Sequence, residues 1–196
     1  MKNVIITGVI LLFFANTLFS QMGNSLFNKV NNEQLNLIES TLMIKGTSTL
    51  HDWISIAEKS KAFIVLNDKE TQIEKLNLVV AVASIKNNKG SSMMDKLTRE
   101  ALKESEFPKI TYEFINATII DNQNDVLKLK LKGDLTIAGK TKQVLIVALI
   151  NKMGSNVTLK GSHKLLMTDF GIDPPTALFG TIKTGDEITI EFSIKF

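Results

Sequence analysis

The 196-residue chain is 44% hydrophobic and 22% charged, has a formal net charge of +3 and contains no cysteine. The missing cysteine excludes disulfides, a lipid-modified N-terminal cysteine, thiolate metal ligands and a cysteine nucleophile. The small charge excludes a nucleic-acid partner: its densest basic cluster, Lys128, Lys130 and Lys132, alternates with Leu127, Leu129 and Leu131, as on the solvated face of a strand.

The chain opens with MKN and continues through VIITGVILLFFANTLFS, almost uncharged to Ser20. A basic start, an apolar stretch and a polar exit predict a signal peptide over residues 1–20, cleaved at Ser20-Gln21, although Leu18 stands where a small residue is usual. A retained anchor is the alternative, but an apolar run of about 15 residues is short against the roughly 20 that span a bilayer. The domain at 21–196 is then expected to be periplasmic or secreted, with no stable membrane anchor. Lacking disulfides, it must be held by burial alone, and a domain of this size buries roughly 70% of its unfolded surface.

Beyond the leader, period-two alternation dominates. Strands are expected at 35–46 (LNLIESTLMIKG), 60–68 (SKAFIVLND) and 73–86 (IEKLNLVVAVASIK). The next segment, SSMMDKLTREALKESEF, breaks the pattern: Met94, Leu97, Ala101 and Leu102 share one helical face, opposite Lys96, Arg99, Glu100, Lys103 and Glu104. Ser92 reads as its N-cap, with Asp95 three residues on, and Phe107-Pro108 as its end. Further strands follow at 109–120, 126–133, 141–152, 156–168 and 187–196, separated by turn signals such as IAGKT and NKMGSN. The last, EITIEFSIKF, puts Ile188, Ile190, Phe192, Ile194 and Phe196 on one side. Eight antiparallel strands with one apolar face must close or stack to protect their edges. The expected fold is therefore all-β, an eight-stranded antiparallel barrel with one amphipathic helix over an open end, a size whose interior can hold one small ligand. An immunoglobulin-like sandwich is the alternative, but it has little use for the helix, and the Cys…Trp…Cys signature is missing.

Two histidines carry what polar chemistry the sequence offers. In GTSTLHDW (46–53), an extended backbone sends His51 and Asp52 to opposite faces, so they cannot form a dyad, while His51 and Trp53 share a side. In a turn, Asp52 more often ties down the backbone than orients a base. His163 falls on the apolar phase of NVTLKGSHKLLMT, with Gly161 leaving room beside it. It is either a core histidine satisfied by a carbonyl, a polar anchor inside a cavity, or a metal ligand. No HxH or HExxH spacing supports the metal, and no GxSxG elbow, P-loop or GxGxxG is present. Glu104 and Glu106 read as the solvated end of the helix. What remains is an apolar interior with few polar groups, which suits a ligand pocket or a filled core.

Four stretches in order, GTSTLHDW (46–53), FPKITYEF (107–114), KGDLTIAGKTKQVLI (132–146) and TDFGIDPPTALFGTIKTGDEITIEF (168–192), together resemble the YceI-like family of bacterial envelope proteins. The resemblance implies a lipocalin-like barrel around a long apolar tunnel. It also implies non-catalytic binding, storage or transport of a long-chain amphiphilic lipid such as a polyisoprenoid, without metal or cofactor. A homodimer fits the family, though the sequence shows no interface signal. On this reading Met94 and Leu97 close one end of the tunnel, and Phe107, Tyr112 and Phe114 line the wall beside the helix. Phe170, Leu178 and Phe179 flank GIDPP at the mouth, and His51, Trp53 and His163 meet the ligand as polar or apolar anchors. The competing expectation is an enzyme acting on a lipid or its head group, with His51 or His163 paired to a carboxylate.

Overall fold

The computed structural model describes residues 34–67, 72–123 and 126–196, and the expected signal peptide lies outside them. Among the described residues the alternating segments form twelve strands. The first six are β1 (Gln34–Asn36), β2 (Glu39–Ser48), β3 (Trp53–Ala57), β4 (Ser60–Leu66), β5 (Ile73–Ala81) and β6 (Ile85–Asn87). The others are β7 (Lys109–Gln123), β8 (Val126–Ile137), β9 (Lys140–Met153), β10 (Asn156–Leu166), β11 (Thr176–Ala177) and β12 (Ile182–Lys195). The helix, α1, spans Ser92–Ala101, and short 3-10 turns cover Val82–Ser84 and Met167–Phe170.

The sheet runs β1-β4-β5-β7-β8-β9-β10-β12-β2-β3-β6, all of it antiparallel. It curls so strongly that one stretch of chain meets both of its sides: β2 pairs with β12 and β1 with β4. Between these two strands, Leu37 N donates to Ala62 O at 2.9 Å and Ile38 N to Lys195 O at 2.8 Å. Residues 34–48 thus bridge the edges at one end, and the sheet opens toward β3, β6 and α1. The eight long segments expected from the alternation make up the wall of this lipocalin-like half-barrel, with 35–46 divided into β1 and β2.

Three elements differ from expectation. WISIA, residues 53–57, forms β3, hairpinned to β2 with Gly46 opposite Trp53. The run 73–86 is not one strand: at Val82–Ser84 it bends, and β6 leaves β5 to pair with β3. The Ser84 hydroxyl fixes the bend by donating to Ala81 O at 2.7 Å and accepting from Lys59 N at 3.1 Å. The helix is capped by Ser91, whose hydroxyl accepts from Met94 N at 3.3 Å, rather than by Ser92. Asp95 instead accepts from Asn87 N at 2.6 Å and pairs with Lys86 at 3.5 Å, pinning the helix to β6. The helix stops at Ala101 because Lys103 takes a left-handed backbone (φ 52), which ends the regular hydrogen-bond ladder.

Packing is uneven along the barrel. Toward the end carrying β1 and the C-terminal strand, Ile64, Leu131, Val157, Leu159 and Phe196 are all 2% exposed or less, beneath an open, more polar cleft of about 430 Å3 at the rim beside Leu66, Leu129 and Ile150. At the other end no residue of α1 is fully buried, although its apolar face turns inward. A helix that covers a packed core buries its stripe. This one covers a hollow.

Candidate functional site

The hollow consists of two chambers in series. The outer one, about 200 Å3, is bounded by β2, β3, β6, α1, β11 and β12, and the inner one, about 120 Å3, lies deeper between β2, β5, β7 and β10. Ile44, Ile85, Ile110 and Ile190 line both, so the inner chamber sits directly behind the outer. Leu131, Leu159 and Ile194 belong to its walls and to the buried core, and they close the tunnel in mid-barrel. Both chambers are mainly apolar, because the inward phase of most strands is Ile, Leu or Val, while Ser48, Ser55, Thr98, Thr176 and Thr184 also border the outer one.

At the mouth, residues 49–52 form the β2–β3 turn, so the extended reading of His51 and Asp52 does not apply. Ser48 organises the turn: its hydroxyl accepts from Leu50 N (3.3 Å) and His51 N (3.1 Å) and donates to His51 O (2.7 Å). The His51 ring bonds through Nδ1 to the main-chain oxygen of Asp52 at 2.8 Å, and the Asp52 carboxylate takes no part. His51 is exposed and borders the outer chamber. Behind it, Trp53 lies flat over Gly46, its Nε1 donating to Thr47 O at 3.1 Å. A Cβ on Gly46 would stand 2.2 Å from Cζ2 of the indole. Gly46→Ala should therefore drive the indole off its seat and cost about 1–3 kcal/mol, the usual range for overpacking. Denaturant unfolding and the emission of Trp53, the only tryptophan, would measure it.

The inner chamber carries two polar groups. Tyr112 is 6% exposed, and its hydroxyl is buried with no hydrogen-bond partner among the described residues. Its ring covers Gly133, and burial first, then the charge of Asp134, pushes the phenol up to about 12. His163 borders the same chamber, half-buried and with no carboxylate partner among the described residues. The space at Gly161 is taken by Phe192, the residue opposite it, rather than left open beside His163.

Burial holds the His163 imidazole below its ordinary range. The unfolded chain then takes up its proton first, near pH 6.5, so stability is intact above that pH and lost as pH falls through the folded value. His163→Leu should flatten this acid slope. Unfolding free energies at about pH 7 and about pH 5 test it, and an unchanged slope would reject the assignment.

The remaining candidates are dispersed. Met94 and Leu97 face the outer chamber with Trp53. Phe107 packs over Gly139 under the β8–β9 turn, Phe114 leans half-buried on the main core, and Phe170 is buried within it. Leu178 and Phe179 stand in solvent beyond the mouth. Among the described residues no three His, Asp or Glu side chains gather as a metal site needs. Composition could not reveal the four shared isoleucines, which look like any other inward residue. Asp186 escaped notice too: it accepts from Thr168 N (2.9 Å) and Thr168 Oγ1 (2.6 Å), and these bonds hold its carboxyl below the usual range. The contact moors the Met167–Phe170 turn to the start of the regular part of β12, which sets Met167 and Ile172 into the chamber wall.

A family model described as YceI-like domain matches residues 33–196. Among solved structures, the chain is similar to BcnA of Burkholderia cenocepacia, with a TM-score of 0.65 and 15% identity over 80% of this chain and 96% of that one. It is also similar to the Campylobacter jejuni YCEI protein, at TM-score 0.60 and 21% identity, covering 72% of this chain and 82% of that one. A third likeness is to a polyisoprenoid binding domain from Saccharophagus degradans implicated in plant cell wall breakdown, at TM-score 0.62 and 9% identity, covering 82% and 95%. At these identities the structural likeness speaks to fold alone. Among curated proteins, none matches the chain.

Proposed function

The chain belongs to the YceI-like family, and from that premise we propose that it binds one long-chain amphiphilic lipid of the polyisoprenoid class in the two-chamber tunnel. It stores or carries the lipid without transforming it, in the periplasm or outside the cell. The observation that carries this reading is the hollow: two adjoining, mainly apolar chambers that share Ile44, Ile85, Ile110 and Ile190 beneath a half-buried helix. The likeness to a domain named for polyisoprenoid binding supports the same ligand class. Together the chambers reach the lower end of the range for ligand pockets. A hydrocarbon chain filling them would recover about 24 cal/mol per Å3 of void, or roughly 8 kcal/mol gross. Such a chain needs shape rather than polar contacts. Trp53, Met94 and Leu97 would grip it in the outer chamber, Tyr112 and His163 would border its deep end, and His51 would meet the head group at the mouth.

Against an enzyme on the same lipid stand the histidines, neither of which reaches a carboxylate among the described residues. Purification from the native envelope, extraction and mass spectrometry should yield a long-chain lipid in stoichiometric amount. An empty protein whose melting temperature does not rise with added prenyl lipid sinks the proposal. Turnover of that lipid, lost when both histidines are changed to Ala while binding survives, would establish the enzyme instead.

A further inference from the structure

Four large apolar side chains stand in solvent at the open end of the barrel. Phe179 is exposed to 110% of its reference area, Leu178 to 68%, Leu50 to 67% and Met93 to 63%. Leu178 and Phe179 form the tip of the β11–β12 hairpin, which pairs Thr176 with Lys183 and Ala177 with Ile182. Leu50 tops the neighbouring β2–β3 hairpin. The two tips are tied together, Thr49 N donating to Lys183 O at 2.9 Å and Lys183 N to Thr49 Oγ1 at 3.2 Å. Met93 lies in the first turn of α1, beside the chamber-lining Met94. Leu50, Pro175, Ala177 and Ile182 themselves border the outer chamber. The exposed side chains therefore surround the opening of the tunnel.

Their backbone sharpens the point. Leu178 (φ 48) and Phe179 (φ 55) are both left-handed, a conformation hairpin tips normally assign to Gly, Asn or Asp. Two large apolar residues are held there, in water, against both their solvation and their backbone preference. Isolated tips of this kind do not make the continuous, complementary face that buries roughly 800 Å2 on each partner of a stable protein interface. They also project as separate points from three elements rather than as one face. A bilayer accepts such points, since apolar tips can sink into the acyl boundary without shape matching.

We propose that Leu50, Met93, Leu178 and Phe179 form a bilayer-docking rim, through which the tunnel exchanges its ligand with a lipid membrane without the chain crossing water. The inference rests on the lipid-binding reading and adds the membrane as the direct partner.

The test is flotation of the full-length mature protein with phosphatidylcholine vesicles at low and high salt, beside the double variant L178N/F179N. Asn tolerates the left-handed backbone, so the variant keeps its fold, checked by its melting temperature. The wild type should float, with little dependence on salt. The variant should partition at least about tenfold more weakly, as loss of two large buried side chains dictates, and should take up labelled prenyl lipid from vesicles more slowly. A wild type that stays in solution overturns the rim, as does a variant that floats equally well. So does a wild-type dimer that the double substitution dissociates, because a second copy then covers the tips. Failure of the carrier reading is distinct: the protein floats yet never acquires lipid. A protein that acquires lipid without floating retains the carrier reading and loses the rim.

Discussion

Tyr112→Phe should make the empty protein more stable, by about 1–3 kcal/mol at neutral pH, because a buried hydroxyl without a partner carries its desolvation cost uncompensated. Tyr112 Oη is such a group, enclosed against Gly133 with no acceptor among the described residues. For a domain of this size the gain corresponds to a rise in melting temperature of about 2–4 °C per kcal/mol. The gap should widen in alkali. The folded phenol titrates near 12, against 10.0 for the ordinary group, so the unfolded chain gives up its proton first. Wild-type stability from this group is then complete below pH 10 and falls between about pH 10 and 12, by up to about 2.7 kcal/mol at 1.36 per unit. Phe cannot ionise and escapes that loss. Tyr112 is the only tyrosine, so ultraviolet absorbance of tyrosinate reports it alone, and urea unfolding at neutral and alkaline pH supplies the free energies. If the variant were less stable at neutral pH, the hydroxyl would have to hold a partner in the inner chamber.

Tyr112 also shows where sequence reasoning reaches and where it stops. Alternation in VLKLKLKG and EITIEFSIKF is enough to assign strands and the inward phase, since a strand has only two sides. The amphipathic stripe of Met94, Leu97 and Ala101 likewise identifies the helix. WISIA is shorter and sits beside a polar turn, so nothing local marks it as β3. The bend after β5 was illegible for another reason: VVAVASI is apolar but for Ser84, and the bend depends on Ser84 reaching Lys59, 25 residues away. The tunnel itself depends on sums of volumes that no local pattern encodes. Of the aromatics expected to line it, Tyr112 does border the inner chamber, with its ring over Gly133, whereas Phe107 covers Gly139 and Phe170 lies within the packed interior. A ring set against a bare backbone completes a wall. The two chambers meet where inward residues are aliphatic, at Ile44, Ile85, Ile110 and Ile190.

That junction yields the sharpest test of how the tunnel selects its ligand. Ile44→Phe should weaken binding of long prenyl alcohols roughly 100-fold while sparing short ones. Ile44 lies in β2 between Ser55 and Ile190 and borders both chambers. A phenyl ring there has void on each side to enter, so the empty protein should keep its stability or gain slightly, as cavity filling commonly does. The ring would cut off the inner chamber. Losing access to about 120 Å3 forfeits about 3 kcal/mol at 24 cal/mol per Å3, and each 1.4 kcal/mol is tenfold in affinity. A short chain confined to the outer chamber never used that space. Ile44→Val is the matching control, since it leaves the passage open at a stability cost of about 0.5–1.5 kcal/mol. Quenching of Trp53, which borders the outer chamber, reads binding for both chain lengths. Equal losses for short and long chains would mean that the inner chamber is not occupied by ligand. No loss for either would place the lipid outside the tunnel altogether.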